Sequence, residues 1–226
     1  ARQNRTEVTM SDIEEAAMKV KLGPSKKRLK DDYERKMTAY HEAGHAILAH
    51  VLPFADPVHR ISIVSRGHAL GYTLTPPEHD KLQVTKSELL NDMAVMLGGR
   101  AAEMLIFKEQ TAGASNDIER ATRMARAMVT EFGMSKLGPM NFSPLYDTSY
   151  ARAWGEPSKI APDLQSKVDD EIKAFIDQAE VEAMKILKKY QKQLAVVSEK
   201  LLEIETLDGD EFEALMGIEK AKPPVV

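Results

Sequence analysis

Two histidines and a glutamate, His41, Glu42 and His45, have the types and the spacing of a metal-dependent hydrolytic site. Histidines four residues apart stack on one face of a helix, where both imidazoles can bind one metal ion. In this H-E-x-x-H arrangement, zinc lowers the pKa of a bound water to about 7 and the glutamate accepts the water's proton. An amphipathic core helix with two incidental histidines is the alternative, but three specified residues at fixed spacing favour a metal site.

A catalytic zinc site typically has three protein ligands, so one more ligand must come from elsewhere in the fold. Cysteine is absent, and valine occupies position 51, where an extended form of the motif has a third histidine. The candidates are Asp117, Glu103 and His59. Asp117 leads because a turn of small residues delivers it at a helix start, although a carboxylate there also suits the helix dipole. Glu103, in apolar company, better suits accepting the free N–H of a ligating histidine.

The elements around the motif must hold these side chains, and the apolar pattern predicts a helix from about residue 31 to 52, closed by Pro53. The period then changes, which predicts strands over 58–64 and 70–75 with a turn at residues 66–68. By default such a hairpin is a packing element. An exposed edge beside a protease site could also pair with an extended substrate.

Most of the remaining sequence has helical periodicity, so the predicted fold class is mainly α, with a small β hairpin or sheet next to the helix of the metal site. The composition of residues 25–30 predicts a linker. That of residues 138–162, around Trp154, predicts a long surface loop. Capping boxes of Ser11 with Glu14 and of Thr85 with Glu88 predict helices over 11–22 and 85–105, the second with a central Gly98-Gly99. A further helix is predicted over 116–132, with Ser115 as N-cap and an inner stripe from Ile118 to Phe132. The remaining predicted helices are 163–190, 193–203 and 210–216.

The length and composition of the chain exclude several classes of protein. The 226 residues allow one good core, or one domain with a short appendage. Lys and Arg total 31 against 35 Asp and Glu, with no block of one sign, so nothing suggests a nucleic-acid surface. No apolar run approaches the 18 residues of a membrane span. The sequence starts abruptly and without Met, and we expect a fragment of a longer chain.

Four motifs in this order closely resemble the peptidase domain of the FtsH family of membrane-anchored, ATP-dependent zinc metalloproteases. They are residues 41–45 (HEAGH), 66–72 (RGHALGY), 98–103 (GGRAAE) and 111–122 (TAGASNDIERAT). The resemblance covers about residues 27 to 216. The first 24 residues look like the last helix of that family's AAA ATPase module.

The resemblance implies roles that the spacing alone does not give. In the family, zinc is held by the two histidines and by the aspartate of the Asn-Asp-Ile sequence in the fourth motif, which correspond here to His41, His45 and Asp117. Glu42 corresponds to the catalytic base, and Glu103 to a supporting residue next to the site. The family domain is mainly helical and forms a sixfold ring. ATP is expected only in a full-length parent, since no glycine here precedes Lys-Ser or Lys-Thr.

The sequence therefore predicts three segments: a remnant of the AAA module with its linker at 1–26, a zinc metallopeptidase domain at 27–218, and a disordered tail at 219–226. The predicted function is zinc-dependent hydrolysis of unfolded or membrane proteins for quality control. The predicted partners are unfolded polypeptides, a homo-hexamer and the AAA module of the same parent. The parent is expected at an inner membrane with this domain on the cytoplasmic side, or at the equivalent membrane of an organelle. The alternative is a ring-forming assembly module whose peptidase site is inactive without the ATPase.

Overall fold

A computed structural model describes residues 7–25, 31–67, 69–77, 83–142 and 161–223. These residues form eight α-helices and one three-stranded antiparallel sheet, which confirms the mainly α fold with a small sheet. Within them, no helix is long and apolar enough to cross a membrane. The elements are α1 (Met10–Leu22), α2 (Asp32–Val51), β1 (Arg60–Ser62), β2 (Tyr72–Leu74), α3 (Lys86–Met96), α4 (Gly98–Ile106), α5 (Ser115–Thr130), α6 (Pro162–Lys189), α7 (Gln191–Ile204), β3 (Thr206–Asp208) and α8 (Gly209–Met216).

The helix that carries the two motif histidines, α2, is the centre of the fold. Its N-cap is Asp31, whose carboxylate accepts a hydrogen bond from the backbone N–H of Glu34 at 2.7 Å. Nearly every residue from 38 to 50 is buried, and α2 packs chiefly against α4 and α7. The predicted bounds of this helix are confirmed. The apolar core continues into the C-terminal helices, where the largest fully buried side chains include Leu187, Leu194, Leu201 and Phe212.

The sheet has the order β2-β1-β3, with β1 in the middle. Ile61 of β1 pairs with Thr73 of β2 on one side and with Leu207 of β3 on the other. The two predicted strands exist but are shorter than expected, and the third strand was not predicted. Three residues are too few to show a period-2 pattern.

A helix break at Leu97 corrects the single helix predicted over 85–105. The chain forms α3 and α4 as separate helices, and α4 crosses α2 at a point where both carry glycine. A Cβ at Gly44 would lie 2.5 Å from the Gly98 carbonyl oxygen, and a Cβ at Gly98 would lie 2.6 Å from Cδ1 of Leu48. Glycine at both positions therefore lets the two backbones approach closely. The predicted capping box of Thr85 and Glu88 is confirmed.

Two predicted helix starts were wrong. Thr9 and Asp12, rather than Ser11 and Glu14, form the capping box of α1. Ser115 is the first residue of α5 rather than its N-cap, because a 3₁₀ turn at Ala112–Ala114 runs directly into the helix. The predicted inner stripe of α5 holds for Ala121, Ala125 and Met128, whereas its two ends, Ile118 and Phe132, are exposed.

Ile218 and two residues of the predicted disordered tail, Lys220 and Ala221, pack against the C-terminal end of α2. The Lys220 ammonium donates to the carbonyl oxygens of Ala49 and Ala55, both at 2.7 Å, and the buried His50 ring donates from Nε2 to the carbonyl of Ile218 at 2.8 Å. A cation at a helix C-terminus is favoured by the helix dipole. The predictions for most of the linker, for the turn at His68, for the loop around Trp154 and for residues 224–226 lie outside the described residues.

Candidate metal centre and active site

Three potential metal ligands converge where α2 meets the first turn of α5. Nε2 of His41 and Nε2 of His45 lie 3.0 Å apart, and Oδ2 of Asp117 lies 3.4 Å from the first and 3.5 Å from the second. Among the described residues, these three form the one group of histidine and carboxylate side chains close enough to hold a metal ion together. Glu103 contacts the group from outside, and the third candidate, His59, is exposed beside β1 and does not belong to it.

The second nitrogen of each imidazole fixes how the ring faces the other ligands. Nδ1 of His41 lies 2.7 Å from a carboxylate oxygen of Glu103, and Nδ1 of His45 lies 2.7 Å from the carbonyl oxygen of Val95. Both oxygens can only accept, so both Nδ1 atoms carry the proton. In the neutral rings, two Nε2 lone pairs and a carboxylate then face one another. Such an arrangement favours a bound cation.

The charges at this cluster shift two pKa values in opposite directions. Burial on its own would lower the pKa of the His41 imidazole. Hydrogen bonds to the carboxylates of Asp117 and Glu103 outweigh burial and raise this pKa from 6.5 to about 10. Burial raises the pKa of the Asp117 carboxyl, but the two imidazoles beside it dominate and hold that pKa well below its usual range. Without a metal ion, a proton on His41 supplies the positive charge that the cluster favours.

Glu103 is 2% exposed and has the partners that a buried carboxylate requires. Besides the His41 ring, it accepts hydrogen bonds from the backbone N–H of Thr111 at 2.9 Å and from the Thr111 hydroxyl at 3.1 Å. Burial raises the pKa of the Glu103 carboxyl, yet these donors outweigh burial and lower it. Gly99, one turn earlier on α4, lies against the flat face of the His41 ring, and a Cβ there would overlap the ring.

Glu42 is 6% exposed and faces the small sheet. Its Oε2 accepts a hydrogen bond from the hydroxyl of Thr73 at 2.9 Å, and the same hydroxyl lies 3.0 Å from the Glu42 carbonyl oxygen. A Cβ at Gly71 would lie 2.8 Å from the other carboxylate oxygen, Oε1. The roles of Thr73 and Gly71 beside Glu42 were not predicted from the sequence. The strand prediction placed both beside the motif helix, but no spacing rule connects a strand residue to one particular helix residue.

The described residues of the motif at 66–72 lead into β2. Arg66 and Ala69 exchange backbone hydrogen bonds of 3.0 and 2.8 Å. The buried guanidinium of Arg66 donates to both carboxylate oxygens of Glu15 on α1, and this pairing lowers the pKa of the Glu15 carboxyl. The N-terminal helix is therefore attached to the segment that leads into β2.

Together these features define a helical domain whose H-E-x-x-H helix and a distant aspartate could hold a single metal ion. Comparison with known proteins agrees with this class. The model of peptidase family M41 matches residues 28–215. Because that match covers most of the chain, the chain belongs to peptidase family M41.

Relatives of known name match nearly the whole chain. It is 43% identical to ATP-dependent zinc metalloprotease FtsH 1 of Conexibacter woesei over 240 aligned residues, which cover 100% of this chain and 36% of the relative. Identity is 44% to ATP-dependent zinc metalloprotease FtsH 3 of Symbiobacterium thermophilum, with 99% and 36% covered. It is 43% to ATP-dependent zinc metalloprotease FtsH of Thermotoga maritima, with 98% and 37% covered. The chain thus spans just over a third of the length of these relatives.

Proposed function

We propose that residues 27–218 are the zinc-dependent endopeptidase domain of an ATP-dependent membrane protease that hydrolyses unfolded or membrane proteins for quality control. One observation carries the chemistry: two imidazole nitrogens and one carboxylate oxygen converge within 3.5 Å of one another beside a buried glutamate. Membership of peptidase family M41 and the names of the relatives support the same reaction.

The ligand set fits zinc. Zinc binds imidazole nitrogen and carboxylate oxygen at about 2.0–2.2 Å in tetrahedral geometry, which separates two ligand atoms by roughly 3.3 Å. The separations of 3.0, 3.4 and 3.5 Å among His41, His45 and Asp117 lie around that value. Three protein ligands leave a fourth position for water, as in catalytic sites. Metal ligands must be deprotonated, so binding of zinc would release the proton that His41 holds.

Zinc bound here would polarise the scissile carbonyl and lower the pKa of water. Proton transfer and the orientation of the ligands depend on the protein's own residues. Glu42 accepts the proton of the attacking water and passes it to the leaving amine. Glu103 holds the His41 ring in the tautomer whose Nε2 faces the other ligands, which is the usual role of a carboxylate behind a ligating histidine.

The strand β2 offers a place for an extended substrate. Within the described residues, β2 pairs with β1 on one edge, and no strand pairs with its other edge. A polypeptide in extended conformation can add to such an edge through backbone hydrogen bonds, which explains why unfolded chains would be preferred. Thr73, in the middle of β2, contacts Glu42, so a substrate on this edge would lie near the proposed base.

The parent protein that we propose is longer than this chain. Residues 1–26 would be the end of an AAA module and its linker, and ATP would bind to that module in the parent rather than to these residues. The relatives are named ATP-dependent and are nearly three times as long, which supports this division. We further propose a homo-hexamer at an inner membrane, with this domain on the cytoplasmic side.

Cleavage of a short unstructured peptide by the purified, zinc-loaded chain tests the proposed reaction. Glu42→Gln is the matched control, because it keeps the size of the side chain and removes the base. We expect cleavage by the unaltered chain, none by Glu42→Gln, and one zinc per chain in both. Full activity of Glu42→Gln would refute the mechanism. No cleavage by either protein, with zinc bound to both, would show that the site requires the ring or the ATPase.

A further inference from the structure

The Thr73 hydroxyl occupies a position that the proposed reaction does not explain. Its oxygen is 2.9 Å from the Glu42 carboxylate and 3.0 Å from the Glu42 carbonyl, although the two residues are 31 positions apart in the sequence. Among the described residues, Thr73 is the one side chain that donates a hydrogen bond to this carboxylate. A hydrogen bond from Thr73 to the Glu42 carbonyl would by itself attach β2 to α2. The contact of the same hydroxyl with the Glu42 carboxylate is therefore not explained by that attachment.

The local structure makes this donor rigid. A β-branched threonine has a stiff χ1, and Thr73 lies in the middle of β2, paired with the fully buried Ile61 of the central strand. Gly71, two residues earlier, leaves room for the other carboxylate oxygen. The terminal torsion of a glutamate is otherwise broad. A donor on one oxygen and a close backbone at the other restrict that rotation.

We propose that Thr73 is a positioning residue for Glu42, whose hydroxyl orients the carboxylate toward the water that it deprotonates. This inference rests on the proposed function, in which Glu42 is the general base. Efficient proton transfer requires the base within hydrogen-bond reach of its proton in a defined geometry. The effect of Thr73 therefore belongs to the rate of the chemical step rather than to substrate binding or to zinc binding.

Substitution of the hydroxyl by a methyl group tests this role. In the zinc-loaded chain we expect Thr73→Val to lower kcat about tenfold with little change in KM, which corresponds to one hydrogen bond lost in the transition state. Thr73→Ser keeps the hydroxyl and should remain within about threefold of the unaltered kcat. Thr73→Ala removes the same hydroxyl without adding a methyl group and repeats the comparison if valine disturbs the strand.

The control is Thr130→Val, which makes the same change at a buried threonine whose hydroxyl bonds to the Arg126 carbonyl on its own helix. It should leave kcat unchanged. Unaltered kcat in Thr73→Val and Thr73→Ala would overturn the proposal, as would an equal loss in Thr73→Ser. Loss of bound zinc or of the fold in both hydroxyl-free variants would also overturn it, because Thr73 would then hold the structure rather than the base. Glu42→Gln in the same assay separates the two hypotheses, since its full activity would refute the proposed function itself.

Discussion

Gly99→Ala should separate zinc binding from folding, because the added methyl group meets the metal site rather than the core. A Cβ at Gly99 would overlap the His41 imidazole at three of its ring atoms. Ordinary contacts between heavy atoms lie at about 3.5–4.0 Å, so the ring must retreat by on the order of 1 Å. A shift of that size moves Nε2 of His41 out of line with the other two ligands and misaligns the 2.7 Å hydrogen bond between His41 and Glu103.

The size of the effect follows from what that hydrogen bond does. Loss of the carboxylate behind a ligating histidine typically lowers metal affinity by about 10- to 100-fold, or roughly 1.4–2.8 kcal/mol. The fold should suffer less. Overpacking costs about 1–3 kcal/mol, while alanine in a helix is about 1 kcal/mol more favourable than glycine. The zinc-free variant should therefore lose at most about 2 kcal/mol of unfolding free energy.

Competition with a chromophoric chelator measures the zinc affinity, and urea unfolding of the zinc-free chain measures stability. The control is Gly98→Ala at the adjacent residue, where the new Cβ would meet Leu48 at 2.6 Å and the Gly44 carbonyl at 2.9 Å rather than the imidazole. Gly98→Ala should lower the free energy of unfolding by more than the free energy of zinc binding. Gly99→Ala should lower the free energy of zinc binding by more than the free energy of unfolding. Zinc affinity of Gly99→Ala equal to that of the unaltered chain would refute the reasoning.

Two further variants test contacts around the site. Glu103→Gln should lower zinc affinity by about 10- to 100-fold. An amide has one acceptor oxygen, whereas His41 and Thr111 supply three donors. A zinc affinity equal to that of the unaltered chain in the chelator competition would contradict this prediction. Pairing with Arg66 lowers the pKa of the Glu15 carboxyl in the folded protein. The ion pair therefore stabilises the docked N-terminal helix fully at pH values above the pKa of the unfolded chain. This stabilisation is lost as the pH falls through the lower pKa of the folded state. Hydrogen-exchange protection of residues 15–22 should decrease in acid, whereas Glu15→Gln should show low protection already at neutral pH; protection independent of pH in the unaltered chain would disprove the link.

Local patterns predicted the elements that carry the chemistry. The bounds of α2 and the capping box of α3 follow from caps, periodicity and Pro53, all of which act within a few residues. Long apolar stripes likewise gave α6 and α7 to within two residues. Glu103 was expected to need a partner because it is a carboxylate among apolar residues, and the structure supplies His41 and Thr111.

Contacts between distant segments could not be predicted in the same way. The strand Thr206–Asp208 forms only because β1 supplies its partner. The break at Leu97 depends on the crossing with Gly44, which lies more than fifty residues earlier. Ile13 and Val20 lie on one side of α1 at helical spacing, and both are exposed. Periodicity shows that a helix has an apolar face, and only tertiary packing decides whether that face is covered.

The attachment of Lys220 and Ile218 to the end of α2 has a consequence for the order in which the contacts of this helix form during synthesis. Lys220 lies 171 residues after Ala49, whose carbonyl it binds. At about 5–20 residues per second, a ribosome needs roughly 10–30 s to add that length. A nascent chain therefore carries both histidines of the motif long before the C-terminal end of their helix gains its last hydrogen bonds. The end of the helix that carries both histidines is therefore secured late, by a segment that contributes no atom to the metal site.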